Sequence, residues 1–227
     1  MNRIYFVRHA EGQDNVARHF SSTWMDHPLT ERGRLQARQT GDYLAGKKID
    51  GIFCSPMKRT HETAEIIARR MNRGVTVLEE LREVNVGDLE GKDFNDENWS
   101  VYHGVTNQWY AGHPHASFPG GEDYATVWKR VRKAYLRILQ EQENRNFVIV
   151  GHGGVFAATL KEFIPGLDVR WLQNIAYYNC AITELDVELL HGELTGKIVD
   201  WANYHHMTPD ALSTAPAIPP LSSIAKE

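Results

Sequence analysis

The segment Phe147-Val148-Ile149-Val150-Gly151-His152-Gly153-Gly154 sets the architecture. Four consecutive apolar residues, three of them β-branched, are too few for a helix and lack the polar alternation of a half-exposed strand. Such a run reads as a strand covered on both faces, which is the habit of a parallel sheet. It breaks at glycines, and residues 155–163 continue at helical spacing, so the step is strand, tight turn, helix. The same step recurs upstream. Residues 4–7 (Ile-Tyr-Phe-Val) and 52–54 (Ile-Phe-Cys) read as the first and second strands, and residues 75–78 as the third. Thr30 is placed to cap a helix carrying Gln36, Ala37 and Leu44. Ser55 as cap and Pro56 in the first turn open another, with Ala64, Ile67, Ala68 and Met71 on one face. Val127, Val131, Ala134, Tyr135, Ile138 and Leu139 give the clearest helical period, and residues 181–187 and 194–201 read as two late strands joined near His191-Gly192.

Between Gly91 and Gly121 that periodicity lapses. Trp99, Tyr102, Trp109, Tyr110 and Phe118 are scattered among polar residues, whereas a flexible linker would be rich in Gly, Ser and Pro. The pattern predicts a single-domain three-layer α/β/α sandwich with a mainly parallel central sheet and an irregular lid insertion over residues 91–121. One domain is expected over residues 1–207. Four of the nine prolines follow Met207, so residues 208–227 read as a Pro-rich C-terminal tail.

Composition narrows the function classes. The chain has 227 residues, 42% apolar and 24% charged, with a formal charge of −4, which suits a soluble globular protein. A nucleic-acid or anionic-membrane binder would carry a basic surplus, so neither partner is expected. No apolar run approaches the roughly 20 residues of a membrane span. The segment Met1-Asn2-Arg3-Ile4-Tyr5-Phe6-Val7-Arg8 is too short in apolar residues for a signal-peptide core. Cys54 and Cys180 cannot build a disulfide framework, and each is expected as a buried thiol in a cytoplasmic protein.

The chemistry gathers at the strand exits. The first strand delivers Arg8 and His9, the second leads to Arg59 in the first turn of its helix, and the fourth delivers His152. In an α/β sheet, ligands bind at the carboxyl ends of strands. Guanidinium forks, glycine amides and helix N-termini together suit an oxyanion with several oxygens. Taken singly, a histidine after a strand is usually structural and an arginine in a first turn usually a surface ion pair. Their joint occurrence at three strand ends points to a phosphate pocket.

With those residues in place the chain resembles the histidine phosphatase superfamily, in its phosphoglycerate-mutase-like branch. The resemblance rests on Arg8-His9-Ala10-Glu11, Pro28-Leu29-Thr30-Glu31-Arg32-Gly33, Ser55-Pro56-Met57-Lys58-Arg59-Thr60, Leu81-Arg82-Glu83, Gly87-Asp88-Leu89-Glu90-Gly91, Pro119-Gly120-Gly121-Glu122 and Gly151-His152-Gly153, in order along most of the domain. It implies that His9 is the nucleophile, forming a phosphohistidine, with Arg8, Arg59 and His152 around the phosphoryl group. It further implies that Glu83 is the proton donor and that Asn15 and the Gly153 amide contact phosphate. Glu79, Glu80 and Glu90 are local rivals for the acid role. Two departures stand out: Ala10 where the first motif usually has Gly, and Gly12 where many members have Thr.

The span 91–121 has Lys92 as its one Lys or Arg residue, where dedicated mutases carry an Arg-rich insertion. The reading is therefore a metal-independent phosphomonoester hydrolase acting on a small organic phosphate, with no cofactor. A cofactor-dependent phosphoglycerate mutase is the alternative, and a catalytically silent phosphate-binding module the alternative of another class. His113, His115, His205 and His206 lack a Cys or carboxylate at ligand spacing, so no metal site is expected. The tail is compatible with covering a neighbouring subunit of a homodimer, but no residue pattern fixes an oligomeric state.

Overall fold

The computed structural model describes residues 1–168 and 177–212. The strands are β1 (Asn2–Arg8), β2 (Gly51–Cys54), β3 (Thr76–Val77), β4 (Asn146–Gly151), β5 (Ile182–Leu190) and β6 (Glu193–Asn203). They form one sheet in the order β3-β2-β4-β1-β5-β6. The first four in that order pair in parallel; β5 and β6 are an antiparallel hairpin on the far side of β1. The helices are α1 (Gln13–Ala17), α2 (Glu31–Ala45), α3 (Lys58–Arg70), α4 (Asp96–Tyr110), α5 (Tyr124–Leu139) and α6 (Gly153–Thr159).

The pleat sorts the central strands onto two cores. Tyr5, Val7, Ile52, Cys54, Val148 and Val150 face α2 and α3, meeting Leu44, Ala64, Ile67 and Ala68. Ile4, Phe6, Phe147 and Ile149 face the other way, meeting Val131, Tyr135 and Ile138 of α5 and Val155 and Phe156 of α6. Because both faces are covered, these strands are apolar throughout, and the three-layer sandwich read from the sequence is the architecture found. Cys54 and Cys180 are both buried free thiols, and burial pushes each up to about 12. No helix among the described residues is long and apolar enough to cross a membrane.

Three expectations need correction. Ser55 and Pro56 do not open α3; its cap is Met57, and Asp26 from a distant loop accepts from the Lys58 amide at 2.7 Å. The Ser55 hydroxyl is instead engaged with His152 at 2.8 Å. The third strand is only two residues long, both exposed at the sheet edge. The span 91–121 is not wholly irregular, since α4 occupies its middle, capped by the Asn95 side chain. Its buried face is Trp99, His103, Val105, Thr106 and Trp109, two of them polar types, so the sequence shows little apolar period there. Of the expected tail 208–227, residues 213–227 lie outside the described residues.

Thr30 does cap α2, accepting from the Gly33 amide at 3.0 Å. Gly33 lets that first turn press on the chain just after β1: a Cβ there would sit 2.1 Å from the Glu11 carbonyl oxygen. Gly33→Ala should therefore lower stability by about 1–3 kcal/mol. Gly46→Ala, whose methyl would meet nothing nearer than 3.5 Å, should stay within about 0.5 kcal/mol. Urea unfolding midpoints of the two variants check this.

Candidate active site

α2 and α6 leave the sheet on opposite faces, while β1 and β4, which precede them, lie side by side with Arg8 opposite Gly151. Diverging helices open a crevice at the carboxyl ends of two adjacent parallel strands, the place where α/β sheets bind ligands. A cavity of about 80 Å³ lies there, room for a phosphoryl group and a compact organic moiety when one water needs roughly 10–15 Å³. Arg8, His9, Asn15, Arg59, Glu83 and Gly153 all line it. Six of the seven residues singled out from the sequence thus share one wall.

His9 is buried, and its Nδ1 lies 2.8 Å from the Ala10 carbonyl oxygen. A carbonyl only accepts, so Nδ1 carries the hydrogen and Nε2 has the free lone pair. Arg59 Nε donates to that Nε2 at 3.1 Å. Burial first, then the Arg59 and Arg8 guanidiniums, hold the imidazole well below its usual 6.5; the Ala10 hydrogen bond opposes them. The ring is neutral and its lone pair faces the cationic pocket. Ala10 fits because its side chain is fully buried beside Leu29, Ala37 and Cys180.

His152, the seventh residue, is completely buried one layer behind Arg59, off the cavity wall. Its Nδ1 accepts from Arg59 Nη2 at 3.2 Å, which leaves Nε2 to donate to Ser55 Oγ. Burial and then Arg59 push its pKa well down as well. The ring braces the guanidinium from the rear.

Arg8 and Arg59 are both buried. Burial draws Arg8 down to about 10, so it remains charged at neutral pH. Its Nη1 donates to the Tyr177 carbonyl at 2.5 Å. Arg59 donates to Ser21 Oγ at 2.9 Å and to the Ser21 carbonyl at 2.8 Å. Among the described residues the one carboxylate ion-paired with either guanidinium is Asp14, 3.9 Å from Arg59. Two desolvated cations with almost wholly neutral partners favour an anion between them.

The structure separates Glu83 from its rivals. Glu79 pairs with Arg82 at 3.1 Å and Glu80 lies 3.9 Å from Lys133. Glu90 accepts from the Ser22, Thr23 and Met25 amides and the Ser22 hydroxyl, so it clamps the loop that holds Ser21 against Arg59. Glu83 alone lines the cavity, accepting from the Val84, Gly154 and Val155 amides at 2.7–3.1 Å. Arg130 fixes its backbone by donating to the carbonyls of Glu80, Arg82 and Glu83 while pairing with Glu122 at 2.8 Å.

Two supports carry no sequence motif, Arg130 and Asn179. Asn179 donates to the His9 carbonyl at 2.9 Å and to Asn15 Oδ1 at 3.2 Å. Asn15 Oδ1 also accepts from the Gly12 amide at 2.9 Å. With its oxygen so occupied, Asn15 keeps its NH₂ for a ligand oxygen. No feature of the sequence marked either supporting residue, since one lies on a regular helix and the other in a turn.

The rest of the cavity lining is largely aromatic. Phe20, Phe94, Trp99 and Tyr102 line the cavity, with Phe20 4.8 Å from Phe94 and 4.9 Å from Trp99 between centroids. Trp109 differs: it is buried, donates to the Ala116 carbonyl at 2.6 Å and pins α4 to the body. His115 lies 3.1 Å from Asp123 and His206 3.0 Å from Thr40. Among the described residues no three His, Cys, Asp or Glu side chains are grouped to hold a metal ion.

Residues 4–197 match the family model for the histidine phosphatase superfamily, branch 1. A Hydrogenobacter thermophilus protein provisionally named phosphoserine phosphatase 2 is 33% identical over 191 residues, covering 83% of this chain and 91% of that one. A Salmonella choleraesuis protein provisionally named phosphoglycerate mutase GpmB is 30% identical over 213 residues, covering 93% and 98%. The solved mycobacterial glucosyl-3-phosphoglycerate phosphatase in complex with VO3 superposes with a TM-score of 0.73 at 26% identity, covering 89% of this chain and 99% of that one. The chain belongs to the histidine phosphatase superfamily.

The neutral imidazoles have a consequence for stability. Once unfolded, His9 and His152 titrate near 6.5, whereas folded they stay unprotonated well below it. The unfolded chain therefore binds more protons below pH 6.5, and each ring removes up to about 1.4 kcal/mol of stability per pH unit of further acidification. Thermal melts between pH 8 and pH 5 should show that fall, with a shallower slope in His9→Ala. Identical slopes would mean that His9 is charged in the folded protein.

Proposed function

We propose that this member of the histidine phosphatase superfamily is a metal-independent phosphomonoester hydrolase that works through a phosphohistidine on His9. The observation that carries the reading is the neutral His9 ring, its Nε2 lone pair in a cavity shared with two buried guanidiniums and the Glu83 carboxyl group. Nε2 attacks phosphorus while Arg8, Arg59 and the Asn15 amide hold the phosphoryl oxygens. For that, Arg59 Nε must exchange its bond to Nε2 for one to a phosphoryl oxygen, which frees the lone pair. Glu83 gives its proton to the departing alkoxide, then takes one from the water that attacks the phosphohistidine. The P–Nε2 bond breaks, its electron pair returns to the ring, and alcohol and inorganic phosphate leave. Guanidiniums and amides supply the charge stabilisation that a metal ion provides elsewhere.

Phe20, Phe94, Trp99 and Tyr102 offer the leaving group aromatic faces and edges, which suit an organic alcohol. Among the described residues, Arg8 and Arg59 are the only Lys or Arg side chains that line the cavity. The name borne by the Salmonella relative keeps phosphoglycerate isomerisation as a second reading. The formal charge of −4 and the two buried free thiols support a cytoplasmic enzyme of small phosphate esters rather than of nucleic acid or membrane.

A panel of phosphomonoesters in EDTA, scored for free phosphate and for isomerised 3-phosphoglycerate, tests the assignment. Free phosphate is expected, fastest from aromatic esters; isomerisation with little phosphate would make the enzyme a mutase. His9→Ala should lose at least about a thousandfold in turnover with an intact fold by circular dichroism. Glu83→Gln should slow alkyl phosphates by about a hundredfold or more, and p-nitrophenyl phosphate much less, because nitrophenolate leaves without a proton. Equal slowing of both classes would move the acid to another group.

A further inference from the structure

The lid carries a hydroxyl that the chemistry above leaves unused. Tyr102 sits on the inner face of α4, with its ring 5.3 Å from Trp99, 5.5 Å from Phe118 and 5.9 Å from Phe20. Those contacts account for the ring and not for its oxygen. Tyr102 is half-buried and lines the cavity, and no hydrogen bond to a described protein group engages its hydroxyl. A phenol that lines a cavity without a protein partner has its hydrogen available to a molecule that enters there.

Gly154 locates that oxygen relative to the acid. A Cβ built on Gly154 would lie 2.9 Å from Glu83 Oε1 and 3.1 Å from the Tyr102 oxygen. Both oxygens therefore lie beside Gly154 as neighbours, and both residues line the cavity. Gly154 has an ordinary backbone, so the absence of a side chain there preserves space rather than relieving strain. A carboxylate that accepts and a phenol that donates, side by side at a cavity wall, can together hold a water molecule that gives a hydrogen to one and receives from the other.

We propose that Tyr102 is a further catalytic residue, whose hydroxyl donates to the oxygen of the water that Glu83 deprotonates. Resting on the phosphohistidine reading, the step is as follows. The water oxygen forms a bond to phosphorus, the P–Nε2 bond breaks, and its electron pair returns to His9. The water proton passes to Glu83. Tyr102 keeps its own proton throughout and fixes the water lone pair on the phosphorus side. Burial, followed by the neighbouring Glu83 charge, holds the phenol well above 10, so it stays a donor across the working range. The residue thereby favours transfer to water over transfer back to an organic hydroxyl.

The test is Tyr102→Phe, which keeps the ring packing and removes one oxygen. Rapid-mixing kinetics with p-nitrophenyl phosphate separate the two halves of the reaction, since the nitrophenolate burst reports phosphorylation of His9 and the steady state its hydrolysis. The expected result is an undiminished burst, a steady-state rate lower by about tenfold, and more acid-labile phosphoenzyme trapped during turnover. An unchanged steady-state rate, or a fall in which the burst is lost to the same degree, overturns the role of Tyr102 while leaving the phosphohistidine chemistry standing. Failure of the unmodified enzyme to form any acid-labile phosphoenzyme overturns the underlying reading instead.

Discussion

The site is organised by the burial of two guanidiniums that neutral groups hold almost entirely. Removing a cation from water costs several kcal/mol even after relaxation, and an opposing carboxylate is the usual compensation. Arg8 leans instead on the Tyr177 carbonyl, and Arg59 on Ser21, His9 and His152. Carbonyl and imidazole acceptors hold the cations in place without cancelling their field. That uncancelled field does two things at once. It attracts a dianion, and it adds to burial, the larger cause, in keeping both neighbouring imidazoles unprotonated, which a nucleophilic nitrogen requires.

Besides Asp14 and Glu83, which line the cavity, three carboxylates set further out hold the supporting backbone and loops. Asp26 accepts from the first amide of α3 and so fixes the turn that carries Arg59. Glu90 ties down four donors of the loop that presents Ser21. Glu122 works through Arg130, whose remaining donors gather the carbonyls under Glu83. Each of these three acids lies off the cavity wall, where its hydrogen bonds go to the supporting groups and not to Arg8 or Arg59. The close approach of two glycine turns serves the same end: a Cβ on Gly121 would lie 2.3 Å from the Asn85 carbonyl oxygen. The Pro119-Gly120-Gly121-Glu122 motif is thus a clamp on the acid loop.

What the sequence made legible follows from which signals are local. Central strands show as unbroken apolar runs because both faces are covered, and His9 and His152 show because they follow such runs directly. Ser55 looks like the α3 cap in the sequence, but its hydroxyl has a tertiary partner in His152 that no local pattern announces. α4 leaves no apolar period in the sequence, because His103 and Thr106 occupy its buried face while Val101 is exposed. Four glutamates within twelve residues look alike on paper. Only their partners distinguish the one that lines the cavity. Asn179 and Arg130 act through carbonyl groups, which every residue has, so no residue type in their surroundings could announce them.

The two halves of the cavity rest on different kinds of structure, and this bears on how the enzyme can diverge. The phosphoryl half is built on strand ends and first helical turns packed on both sides, where a shift of any one group disturbs the field at the others. The leaving-group half is built from side chains of α4 and the loops it packs against, joined to the body through apolar contacts such as those of Trp109 with Phe118 and Tyr124. Apolar contacts are non-directional, and cores accept volume-conserving exchange at modest cost. On the proposed chemistry, substitution at Phe94 or Trp99 changes which alcohol is accommodated without touching the guanidinium groups that would hold the phosphoryl group. Relatives whose names refer to different phosphate compounds are what that separation allows, because the choice of alcohol and the chemistry on phosphorus draw on different residues.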